Sequence, residues 1–108
     1  MTFNQALAER IRQRLAQREG VREKKMFGIG FLLNGNLCLG VWKGSLIVRL
    51  GPQQSEDALL EPHVSEFKMR GRSMNGWVLV APEGVEDDDQ LSAWIDRAMK
   101  FVGTLPAK

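Results

Sequence analysis

Apolar residues alternate with their neighbours through three short runs, 26–33, 37–42 and 46–50, separated by residues 34–36, which include Asn34-Gly35, and 43–45, which include Lys43-Gly44. Alternation with a period of two puts successive side chains on opposite faces of a strand. Asn34-Gly35 is the preferred two-residue type I′ hairpin turn, because both of its positions need positive φ. Lys43-Gly44 is a second, weaker turn, and a bulged three-residue loop there would shift the register. This stretch therefore commits the middle of the chain to antiparallel hairpins, and every other element must pack against them.

Helical periodicity brackets the strands. Phe3, Leu7, Ile11 and Leu15 recur every four residues and predict a helix over residues 4–18, with Thr2 or Asn4 as its cap and Gly20 as its stop. Asp87 with Gln90 three positions later forms a capping-box signature, and Asp88 and Asp89 suit the positive end of a helix. Leu91, Trp94, Ile95, Ala98, Met99 and Val102 then follow the helical period, with Pro106 beyond. Pro52 and Pro62 bracket a short helix over residues 53–60. Two more strands are expected at 65–70 and 77–81. The order α-β-β-β-α-β-β-α predicts a single α+β domain over residues 1–108, two-layered, with a mostly antiparallel five-stranded sheet.

Carrying a regular register from Asn34-Gly35 sets Leu32 opposite Leu37, Gly30 opposite Leu39 and Gly28 opposite Val41. Leu46, Val48 and Leu50 join that almost purely aliphatic face, which is expected to lie under the helices, where Gly28 and Gly30 admit a close approach. The opposite face then carries Phe27, Ile29, Phe31, Cys38, Trp42, Ile47 and Arg49. If no helix covers it, this apolar and aromatic face is a candidate contact surface. On this register, Phe31→Glu is expected to convert a homodimer to a monomer.

At 108 residues, 44% hydrophobic and 26% charged, the chain has the composition of a globular domain and no apolar run long enough to span a membrane. The first residues lack a signal-peptide hydrophobic core, and the single cysteine excludes an internal disulfide, so a cytoplasmic location is expected. The net charge of +2 does not by itself imply nucleic acid. Its distribution is uneven. Residues 1–25 hold seven Lys or Arg against three Glu, a net of +4, and residues 81–108 hold six acids against three bases, a net of −3. A basic end suits phosphate or an acidic surface, or is a solvated helix face.

No constellation points to catalysis, a metal or a cofactor. Gly28-Ile29-Gly30 lies inside a strand with no helix following, so it is not a dinucleotide loop. Asp87, Asp88 and Asp89 are explained by the helix start and diverge around the helix, which is poor geometry for chelation. His63 has no partner at ligand spacing. Cys38 reads as a small hydrophobe, with Arg49 opposite it as the one argument for a reactive thiol. A small enzyme would need a polar pocket near His63 or Cys38. The segment 70–77 stands out: either Arg70 and Arg72 grip phosphate or carboxylate and Trp77 stacks or fills a partner's pocket, or it is a hairpin connection with surface arginines and with Trp77 in the core beside Leu79. Together with Lys24 and Lys25, these arginines define a candidate nucleic-acid surface if they form one patch.

Lys25-Met26-Phe27-Gly28-Ile29-Gly30-Phe31, then Gly40-Val41-Trp42-Lys43, then Gly71-Arg72-x-Met74-x-Gly76-Trp77-Val78 resemble the TfoX/Sxy N-terminal domain. Ala81-Pro82-Glu83-Gly84 and the helix of Trp94 extend the likeness. Ser73 departs from the proline common in relatives, and the chain stops at Lys108, where full-length TfoX/Sxy proteins continue into a second domain. The resemblance implies a two-layer α/β fold with an antiparallel sheet. It also implies a bacterial regulator of competence genes that works with the cyclic-AMP receptor protein or other transcription machinery rather than by catalysis. It supplies no catalytic residues.

Overall fold

The computed structural model describes residues 4–25 and 28–108. In chain order the elements are α1 (Gln5–Leu15), β1 (Val21–Lys24), β2 (Ile29–Leu33), β3 (Asn36–Trp42), β4 (Ser45–Arg49), α2 (Pro52–Ala58), β5 (Val64–Met69), β6 (Arg72–Val80), a 3-10 turn (Pro82–Gly84) and α3 (Asp88–Val102). The strands form one antiparallel sheet in the order β1-β2-β3-β4-β6-β5. The α+β class and the three helices are as expected, but the sheet has six strands rather than five. The additional strand, β1, reads Val-Arg-Glu-Lys and contains one apolar residue, so it shows no hydrophobic alternation. An edge strand needs none, and its charges discourage pairing with other chains.

The helix ends follow their local chemistry. The Asn4 side chain accepts a hydrogen bond from the Leu7 N–H at 3.1 Å and caps α1. Thr2 and Phe3 lie outside the described residues. At α3 the Asp87 N–H donates to the Gln90 side chain at 3.0 Å and completes the capping box. Pro52 opens α2 after Gly51, whose φ of 89° is open to glycine and whose missing Cβ makes room for the Phe101 ring.

The turns also form where the sequence places them. Leu33 faces Asn36 across Asn34-Gly35, with φ of 53° and 86°. Trp42 faces Ser45 across Lys43-Gly44. In the third hairpin Arg70-Gly71, at φ of 52° and 80°, joins Met69 to Arg72. Most of the segment 70–77 is therefore strand β6, not a connection.

The register changes the assignment of faces. Leu32 is opposite Leu37 as expected, but Phe31 then faces Leu39 and Ile29 faces Val41. Cys38 is an extra residue, a β-bulge, and one extra residue exchanges the two faces of β2 relative to β3. Ile29, Phe31 and Cys38 therefore lie under the helices, not on the opposite face as the regular register had them. Gly30, now beside Gly40, Leu32 and Leu37 lie on the other side. The second half of the expected pattern holds: Leu39, Val41, Leu46, Val48 and Leu50 are all buried on the helix side.

One core cluster joins these residues to Leu7, Ile11 and Leu15 of α1, Ala58 of α2, and Leu91, Trp94, Ile95 and Met99 of α3. Phe31 is 1% exposed within it. The expected Phe31→Glu dimer switch is therefore replaced by a folding defect. Phe31→Ala is expected to cost about 3–5 kcal/mol of stability, measured by urea unfolding. A loss below about 0.5 kcal/mol, typical of a surface site, would return Phe31 to the other face.

Candidate functional site on the helix-free face

All three helices cover the same side of the sheet, so the side chains on the other side serve no part of the main core. Strand alternation places Lys24 of β1, Leu32 of β2, Leu37 and Trp42 of β3, Ile47 and Arg49 of β4, and Trp77 and Leu79 of β6 on that side. Ile47 leans across Gly40 and is fully buried. Leu32, Leu37 and Leu79 are half-buried, and Trp42 is 39% exposed.

Arg49 organises the centre of the face. Its guanidinium donates to the Leu37 carbonyl oxygen at 3.3 Å and lies 5.2 Å from the Trp77 ring centre. Phe67 meets Trp77 with ring centres 6.2 Å apart and planes tilted by 48°. Planar cation and aromatic groups thus form a contiguous layer from β4 to β5, held by cation–π attraction and ring contact. Trp42 has the Lys43 ammonium 5.0 Å from its ring centre, and the Lys43 carbonyl oxygen accepts from the Asn4 N–H at 2.6 Å. The start of α1 thereby holds the turn that carries Trp42.

The expected site residues separate. Lys24, Trp42, Arg49, Arg72 and Trp77 share the helix-free side, Arg72 through its pairing with Met69. Phe31 is core, Lys25 follows β1, and Arg70 sits in the turn at the tip of the β5–β6 hairpin. Phe27 lies outside the described residues. Lys24 and Arg72 stand on strands four steps apart, about 19 Å, so they border the face rather than forming one compact patch. Sequence reasoning missed Arg22, Leu32, Leu37 and Leu79. Arg22 and Lys24 flanking Glu23 was the one available signal, a charge alternation with strand period.

The segregated charges of the two chain ends meet inside the molecule. Arg10 and Arg14 of α1 reach the Asp88 carboxylate at 3.1 and 3.0 Å, and Arg18 lies 3.7 Å from Asp96. Arg14 also donates to the Ser92 hydroxyl at 2.9 Å. Arg12 grips Glu23 with two hydrogen bonds of 2.7 and 3.0 Å, which hold its guanidinium further above its ordinary pKa. Arg22, Lys24, Arg49 and Arg72 make no ion pair with any described residue.

The two residues considered for chemistry lie elsewhere. The Cys38 thiol donates to the Phe31 carbonyl oxygen at 3.1 Å and is 3.6 Å from the Met99 sulfur. Burial pushes it up to about 12, against smaller opposing effects that include the charges of Arg18 and Arg49. His63 borders a surface cleft with Glu61, Gln90, Trp94 and Arg97. There Glu61 is paired with Arg97 at 3.1 Å, and Arg97 lies over Trp94, 4.4 Å from its ring centre. Among the described residues no group of three or more His, Cys, Asp or Glu is placed to hold a metal ion, and no helix is long and apolar enough to cross a membrane.

The model of the TfoX N-terminal domain family matches residues 13–102. No curated protein and no solved structure matches the chain.

The surroundings of Cys38 make its thiol unreactive in the folded protein. Ellman's reagent is expected to modify it only at the rate of unfolding, and fast labelling in native buffer would place it at the surface. Native protein keeps this proton where the unfolded chain has already lost it. The contribution of this group to stability is therefore fully present below the unfolded thiol pKa, and it declines as pH rises from there towards 12.

Proposed function

Because the chain belongs to the TfoX N-terminal domain family, we propose that it is a non-enzymatic regulatory domain that docks a protein of the transcription machinery through its helix-free sheet face. The observation that carries this reading is the position of Trp42, Arg49 and Trp77. They occupy the sheet side opposite the helices, with aliphatic residues between them and, around them, cations without an ion-pair partner among the described residues. Tryptophan and arginine are the residue types that dominate binding energy at protein interfaces, and an apolar centre with a charged margin is the usual interface anatomy. The resemblance to TfoX/Sxy proteins supports a role for this docking in the control of competence genes, and the cyclic-AMP receptor protein is the first partner to test.

Direct nucleic-acid binding is the second reading, favoured by the cations at the margins of the same face. One experiment separates the two. A photo-crosslinking amino acid is placed at Trp42 and, as a control on the helix side, at Gln53, in the bacterial cytoplasm. The expected result is a protein adduct from position 42 and none from position 53. A nucleic-acid adduct at position 42, with binding to labelled duplex DNA that falls steeply with salt, supports the second reading instead. Adducts in equal yield from both positions, or none from position 42, overturn docking through this face.

A further inference from the structure

Resting on that docking reading, we infer that the partner segment is an acidic one, an apolar anchor flanked by carboxylates, and that it is not a second copy of this chain. The sheet strands contain two carboxylates, Glu23 and Glu66. Both turn to the helix side. Glu23 is opposite Phe31 and is held by Arg12, and Glu66 is opposite Val78 and accepts from the Ser73 hydroxyl. Arg22, Lys24, Arg49 and Arg72 lie on the other side with no ion-pair partner among the described residues. The sheet has therefore sorted its charges: its strands present only positive side chains to whatever covers the helix-free face.

This sorting discriminates between occupants. Two copies meeting face to face across a two-fold axis would oppose these cations with no carboxylate from either sheet, a repulsive arrangement. A nucleic-acid strand would satisfy the charges, but single strands gain much of their affinity by stacking bases on free aromatic faces. Here Trp77 is already contacted by Arg49 and Phe67, and Trp42 by Lys43. The surface between them is largely aliphatic, built from Leu32, Leu37 and Leu79, and gives bases little to stack on. An acidic polypeptide segment with Leu or Phe anchors matches both the apolar centre and the cationic margin, and attraction between opposite potentials speeds its encounter.

The test uses the full chain and three fluorescein-labelled probes of about 20 units, long enough to cross about 19 Å of sheet. They are a peptide alternating Asp and Glu with Leu and Phe, the same peptide with Lys and Arg in place of the acids, and oligothymidylate. Anisotropy is read at about 50 and 300 mM NaCl, across which screening of exposed charges rises strongly. The acidic peptide is expected to bind at low salt and to lose about tenfold in affinity at high salt. R22E combined with K24E is expected to weaken it at least about tenfold, whereas K100E on α3 leaves it unchanged. Arg22 and Lys24 are exposed and make no hydrogen bond through their side chains to any described residue, so unfolding curves are expected to show the double variant folded.

Equal or tighter binding of the basic peptide or of oligothymidylate overturns the inference, as does acidic-peptide binding that survives the charge reversal. The two readings fail separately. A protein adduct at Trp42 that persists in R22E/K24E removes the acidic partner but leaves docking through this face intact. Absence of any adduct at Trp42 in the otherwise unaltered protein removes docking itself.

Discussion

Cys38 is the extra residue of a bulge, and most of the molecule's two-sidedness depends on it. Without it, Phe31 and Ile29 would turn away from the helices and Gly30 and Leu32 would turn towards them. The bulge is held from both directions. The Cys38 thiol donates to the carbonyl oxygen of Phe31 on the neighbouring strand, and its sulfur meets Met99 of α3. One small, buried, polarisable side chain thereby couples the register of a hairpin to the position of the last helix. Burial that keeps the thiol protonated and inert fits this structural work.

Electrostatics complete the division that the register begins. The basic face of α1 is spent on the acidic start of α3, with Arg10 and Arg14 converging on Asp88. Exposed pairs of this kind contribute modestly, about 0.2–1 kcal/mol each. They tie two helices distant in sequence together on the side of the sheet where the apolar core already packs them. Glu23 is drawn to the same side by Arg12. On the helix-free side Arg22, Lys24, Arg49 and Arg72 keep no ion-pair partner among the described residues, which gives the proposed docking surface its sign.

The proposed site is therefore a by-product of how the core is closed. Arg49 and Trp77 sit on the backs of the two strands whose inward residues, Val48 and Val78, lie in the buried cluster. A rigid, well-packed sheet holds such groups in place without a loop, which suits recognition of a partner surface. Trp42, at the end of β3 beside a turn anchored by Asn4, is the most exposed of these aromatics and the natural point of first contact.

At the helix starts and the Asn34-Gly35 turn, where chemistry is local, the amino-acid sequence by itself determined the outcome. The capping box at Asp87, the Asn4 cap, Pro52 at the start of α2, and the turn at Asn34-Gly35 each depend on residues within one turn of chain, and each formed as read. The inward positions of β3 and β4 were legible too, because Leu39, Val41, Leu46 and Val48 alternate with the Lys43-Gly44 turn between them. Three features were left to the tertiary structure. Strand β1 has no apolar pattern and exists because β2 offers it an edge. The faces of β2 are apolar on both sides, Ile29 and Phe31 against Leu32, so alternation could not choose between them until the Cys38 bulge set the parity. Opposite charges at the two ends of the chain look like binding surfaces until the fold brings α1 against α3. A pattern of period two specifies that there are two faces, but only long-range packing decides which of them the helices cover.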